Sequence, residues 1–133
     1  MAYHEYLAQP MAAIVGANVD EVVTMNTLTV NLHLMMATFY RPTDRCNKIL
    51  IEEHAFPSDK NAVESQIRLH GYCPSESLIE VAPNCDGLLT TESICDAIRE
   101  HRESLALILL PGVQYYSGQV LDMAEITRFA HEK

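Results

Sequence analysis

At 133 residues and 48% hydrophobic content, the chain is long enough for one globular domain with a sizeable core, which excludes a disordered or fibrous polypeptide. Nine basic residues against 18 acidic ones give a net charge of −9, and no basic run interrupts that balance, so nucleic acid and anionic membranes are excluded as partners. No apolar stretch approaches the roughly 20 residues of a membrane helix, and the N-terminus lacks the basic-then-apolar layout of a secretory signal, so a cytoplasmic protein is expected.

In chain order, residues 1–16 place Leu7, Met11, Ile14 and Val15 at helical spacing, with Pro10 expected to interrupt or restart the helix and Gly16 to end it. After a turn at 17–20, the run Glu21-Val22-Val23-Thr24-Met25 reads as a short strand. Leu28, Leu32, Met35, Met36 and Phe39 predict a helix over about 28–40, closed by Arg41-Pro42, with one face on a sheet. Residues 48–52 read as a buried strand. Ser58 is expected to cap a helix along Val63, Ile67 and Leu69 that stops at Gly71. A strand follows over 77–82, ended by Pro83, and Thr90 or Thr91 with Glu92 or Ser93 opens a helix through Ile94, Ala97 and Ile98.

The longest apolar run, Ser104 to Leu110, predicts a strand buried on both faces and placed at the centre of the sheet. A last helix is expected over 121–131. Repeated strand-then-helix order makes the fold class α/β, a mostly parallel sheet with helices packed on it as an αβα sandwich, without an internal domain boundary. Cys46, Cys73, Cys85 and Cys95 show no metal-site spacing and read as free thiols, with no bound metal expected.

Two strand-to-helix junctions carry polar groups: Asn26-Thr27-Leu28-Thr29-Val30-Asn31, and His54-Ala55-Phe56-Pro57-Ser58-Asp59. The first pairs helix-start amides and a Thr hydroxyl with the positive end of a helix dipole, a setting that favours phosphate. In an open α/β sheet such junctions gather at the carboxyl ends of the strands, where ligands bind.

Met25-Asn26-Thr27-Leu28-Thr29-Val30-Asn31-Leu32-His33-Leu34 and Ala55-Phe56-Pro57-Ser58-Asp59, together with Glu64-Ser65-Gln66, Leu69-His70-Gly71 and Gly112-Val113-Gln114-Tyr115-Tyr116-Ser117-Gly118-Gln119, resemble the kynureninases. Those are pyridoxal-phosphate hydrolases of the aspartate-aminotransferase-like, fold type I group. The resemblance implies part of a large domain, its N-terminal half, spanning 1–133. It also implies that Leu28 and Thr29 hold the cofactor phosphate, that Phe56 stacks on its ring with Pro57 stiffening the loop, and that Asp59 lies near the ring nitrogen with Ser58 beside it. The implied reaction is hydrolytic cleavage of kynurenine or 3-hydroxykynurenine, giving anthranilate and alanine from the former, in a homodimeric enzyme of tryptophan catabolism and NAD biosynthesis.

Two departures bear on that reading. Pro111 stands where the family can show a serine that contacts the cofactor. The family's main ring-nitrogen aspartate, the histidine beside it and the Schiff-base lysine are expected after Lys133, and none of Arg41, Lys48, Lys60, Arg68 and Arg99 lies in a context like that lysine's. No catalytic residue is therefore assigned, and the chain by itself is expected to be inactive. Among the histidines, His54 alone borders the cofactor loop, whereas His33 and His70 read as helix-surface or core-edge residues. Other readings are a cysteine-desulfurase or aminotransferase-like member of fold type I, which Phe56-Pro57-Ser58-Asp59 argues against, and a non-catalytic α/β module that binds another phosphate. No glycine-rich nucleotide loop supports the latter.

Overall fold

The structure, a computed structural model, describes residues 3–132. The chain divides between Asn31 and Leu32 into two compact units, described in turn.

The first unit holds helix α1 (Tyr3–Val15), a 3-10 turn (Val19–Glu21) and the first turn of helix α2 (Leu28–Phe39). Helix α1 runs through Pro10 without the expected interruption. A proline there removes one amide from the ladder, and the good helix formers around it (Leu7, Ala8, Met11, Ala12, Ala13) carry the turn onward. At the 3-10 turn, the Glu21 carboxylate accepts from the Asn18 backbone amide at 2.8 Å and from its side-chain amide at 3.0 Å. The strand expected over 21–25 is absent: Val22 is extended, but the segment joins no sheet. Extended backbone becomes a strand only when a neighbouring strand takes up its amides and carbonyls, and this run pairs with no strand of the described residues.

The second unit contains the rest of α2, strand β1 (Lys48–Glu52), helix α3 (Pro57–Leu69), a helical turn α4 (Pro74–Ser77), strand β2 (Leu78–Val81), helix α5 (Thr91–His101), strand β3 (Leu105–Ile108) and helix α6 (Met123–His131). All three strands are parallel, in the order β2-β1-β3. The expected parallel α/β architecture is therefore present, but β1 is its centre and β3 an edge. The run Leu105 to Leu110 is apolar because layers cover both of its faces, and that apolarity does not report how many strands flank it.

Alternation along β1 sorts the core into two layers. Ile49 and Ile51 pack with Met36, Tyr40, Val63 and Ile67 on the α2/α3 side. Leu50 packs with Ile94, Ile98, Leu121 and Ile126 on the α5/α6 side. Between β1 and β3 the register slips, so that Lys48 and Ile49 face Leu105 and Leu107, and the extra residue, Ala106, joins Leu107 on the α2/α3 side.

Helix ends follow local chemistry. Thr90 Oγ1 accepts from the Ser93 amide at 3.0 Å, and an Asp122 carboxylate oxygen accepts from the Glu125 amide at 3.0 Å. At the end of α3, Gly71 takes φ 86° while its amide reaches the Arg68 carbonyl and that of Tyr72 reaches Ile67, at 3.0 and 3.1 Å. That paired arrangement needs a left-handed residue, which glycine supplies without steric cost.

Candidate functional site

The crossovers of the second unit locate its binding edge. From β1 the chain passes through α3 on one face to β2; from β2 it passes through α5 on the other face to β3, on the far side of β1. Strand order reverses between β1 and β3, and the crevice outside their carboxyl ends is where open α/β sheets bind ligands. Two loops meet there, 53–56 after β1 and 109–122 after β3.

The loop after β1 is tightly wound. His54 adopts φ 63°, a left-handed conformation costly for a residue with a Cβ. Phe56 is the N-cap of α3 and Pro57 its first helical residue, so Ser58 is not the cap the sequence suggested: proline's fixed φ starts the helix one residue earlier. The Asp59 and Lys60 amides reach the Phe56 carbonyl at 2.8 and 3.1 Å. Ser58 Oγ donates to Asp59 Oδ1 at 3.1 Å, and Asp59 lies in the first turn, where the helix dipole favours a carboxylate.

The Phe56 ring is 48% exposed and meets Tyr115 edge-on, with centroids 5.1 Å apart and planes at 84°. Whichever ring supplies the edge, at least one face of Phe56 is left uncovered by Tyr115. Glu52, at the end of β1, is buried, and its carboxyl is held above the usual carboxylate range by burial and by the nearby negative charge of Asp59.

The loop after β3 folds on itself: Val113 bridges Val120, and the Gln114 amide donates to the Gln119 carbonyl at 2.8 Å. Two glutamine side chains fasten it. Gln119 exchanges hydrogen bonds with the Leu89 backbone at 2.9 and 2.5 Å. Gln114, 5% exposed, donates from Nε2 to the His54 carbonyl at 3.2 Å and accepts on Oε1 from the Tyr116 and Ser117 amides at 2.5 and 3.0 Å. Sequence reasoning placed Gln114 and Tyr115 in a motif without giving either a role; the one local feature beside them that a sequence can show is Gly118, which takes φ 72°.

In the first unit, Leu28 and Thr29 open α2. The Asn31 amide bonds the Thr27 carbonyl at 3.0 Å, so the amides of Leu28, Thr29 and Val30 precede the helical ladder and are available to an anion. Asn31 Nδ2 donates to the Met25 carbonyl at 3.3 Å, while its Oδ1 is buried without a partner. That orphan is an acceptor, which a phosphate dianion does not satisfy.

Fit to pyridoxal phosphate is thus partial. The chain supplies helix-start amides, an open aromatic face and a carboxylate. In the second unit, a recess lined by His54, Leu89, Gln114 and Ser117 measures about 30 Å³, room for one water and not for a cofactor. Neither described lysine suits covalent attachment. Lys60 Nζ is bound to Glu80 at 2.8 and 2.9 Å, which holds its ammonium form, and Lys48 begins β1, roughly 13 Å from that strand's carboxyl end at about 3.3 Å per residue. Pro111, half-buried after β3, brings no donor to the edge. A groove of about 550 Å³ along β3, between α5 and α6, contains none of the predicted site residues. No helix of the described residues is long and apolar enough to cross a membrane.

No family model matches the chain. Among curated proteins, the kynureninase of Xanthomonas campestris pv. campestris (strain B100) is 55% identical over 131 residues, 98% of this chain and 31% of the relative. Kynureninases of Xanthomonas axonopodis pv. citri (strain 306) and Xanthomonas oryzae pv. oryzae (strain PXO99A) are 54% and 55% identical over the same spans. The chain therefore aligns with kynureninase along nearly its whole length, and it corresponds to about a third (31%) of such a protein.

Proposed function

We propose that the chain contributes part of the cofactor site of a kynureninase, a cytoplasmic, homodimeric hydrolase that cleaves kynurenine or 3-hydroxykynurenine with pyridoxal phosphate. The observation that carries the reading is the 55% identity to a kynureninase across 98% of the chain. The amides at the start of α2 and the Thr29 hydroxyl would bind the phosphate, Phe56 would cover one face of the ring, and Asp59, oriented by Ser58, would hold negative charge near the ring nitrogen. When bound, the cofactor supplies the electron sink for cleavage.

The test is a chimera in which this chain replaces the matching 131 residues of the Xanthomonas campestris (strain B100) kynureninase. Anthranilate release from kynurenine is expected, with Phe56→Ala weakening cofactor retention roughly tenfold, the upper range of a stacked ring. Asp59→Asn is expected to lower kcat more than cofactor affinity. A chimera that folds but neither retains pyridoxal phosphate nor releases anthranilate would refute the proposal.

A further inference from the structure

The loops that flank the crevice between β1 and β3 are joined by one side chain and one ring pair, and both come from consecutive residues of the later loop. Gln114 is buried and spends its carboxamide on three backbone groups: the His54 carbonyl across the crevice, and the Tyr116 and Ser117 amides of its own loop. Tyr115, the next residue, sets its ring against Phe56. The backbone of Phe56 is fixed by Pro57 and the start of α3, but its ring is half-exposed, and Tyr115 is the aromatic neighbour it meets.

A half-exposed ring with free rotamers would lose entropy on stacking; a ring already held would not. The bond to the His54 carbonyl also supports a turn whose left-handed residue is unfavourable by itself. We infer that Gln114 is a positioning residue: it clamps loop 113–119 to the turn at His54, so that Tyr115 holds the Phe56 ring in a single orientation for a planar heteroaromatic ligand. The inference rests on the cofactor reading above for the identity of that ligand.

Gln114→Glu isolates the clamp, because a carboxylate keeps both acceptor bonds yet cannot donate to the His54 carbonyl. Tyr115→Leu removes the ring contact at an exposed position and leaves the clamp in place. The chain has no tryptophan, so Phe56→Trp makes a single fluorescent reporter at the stacking position. In the 133-residue chain carrying that reporter, each variant is expected to raise the acrylamide quenching constant roughly twofold through a freer ring, with unchanged far-ultraviolet circular dichroism. In the chimera with Phe56 retained, each is expected to weaken retention of pyridoxal phosphate, measured by equilibrium dialysis, roughly three- to tenfold.

Unchanged quenching in both variants overturns the positioning role, and it does so without touching the cofactor reading, since no cofactor is present in that measurement. Freer rings with unchanged cofactor retention overturn it as well, because the held orientation would then serve no ligand. If the unmodified chimera folds but retains no cofactor, the cofactor reading fails and this inference fails with it.

Discussion

The central strand and the edge strand feed the same two layers and end differently. Around β1, Tyr40, Ile49, Ile51, Val63 and Ile67 on the α2/α3 side and Leu50 and Ile94 on the α5/α6 side are sealed, each at 1% exposure or less. Along β3, Leu107 and Leu109 on the first side and Leu105, Ile108 and Leu110 on the second are all half-buried and line a groove of about 550 Å³. Composition does not explain the contrast, since both strands are Ile- and Leu-rich. The difference is the edge position of β3: a strand paired on one side only leaves its outer flank, and the helices leaning toward it, incompletely covered.

The strongest test of that contrast is truncation of one residue on each strand. Ile51→Ala, in the sealed strand, should cost about 3 to 4 kcal/mol in urea denaturation, the range for a buried large-to-small change with little room to relax. Ile108→Ala, beside the groove, should cost only about 1.5 kcal/mol, because its side chain already borders open space. Equal losses at the two sites would show that the groove closes in solution. The same groove should bind the dye ANS in the native state, and loss of that signal in Ile108→Glu would place the dye there.

Thr90→Ala tests whether a helix that packs near the edge strand carries its own stability at its end. Its hydroxyl is a direct cap on the Ser93 amide, and removal should cost about 1 kcal/mol. A loss near zero would mean that packing of Ile94 and Ile98 alone holds α5 in place.

The contrast between strands also explains what the sequence made legible. Strand β1 and the Gly71 helix stop were readable because each is written locally, one as a short buried run and the other as a glycine where a left-handed residue is required. The position of β3 was not, because Leu105 to Leu110 encodes coverage above and below, whereas strand order depends on partners elsewhere in the chain. Residues 21–25 misled for the same reason: an extended apolar run carries no record of a missing neighbour. At the candidate site, Phe56, Pro57, Ser58 and Asp59 were legible as a contiguous motif, though Pro57 moved the cap from Ser58 to Phe56. The clamp from Gln114 to His54 was invisible, since 60 positions separate its ends.

The smallest effect expected concerns Glu52, the last residue of β1, which by alternation follows Leu50 toward the α5/α6 side. Burial, and secondarily the negative charge of Asp59, raise its carboxyl above its unfolded value, so the folded state binds this proton more tightly than the unfolded state does. Its contribution to stability is therefore fully present at pH below the ordinary carboxylate value and is lost as pH rises through the raised one. Above that window, a buried charge opposes folding. Glu52→Gln, which keeps shape and hydrogen bonding but cannot ionise, should raise the urea midpoint at neutral pH and leave it nearly unchanged in acid. Asp59→Asn should move the Glu52 window downward, toward the ordinary value, by removing the nearby like charge. A Glu52→Gln variant that loses stability at neutral pH would mean that the ionised carboxylate is held by donors, and that this end of the strand is built to keep a charge.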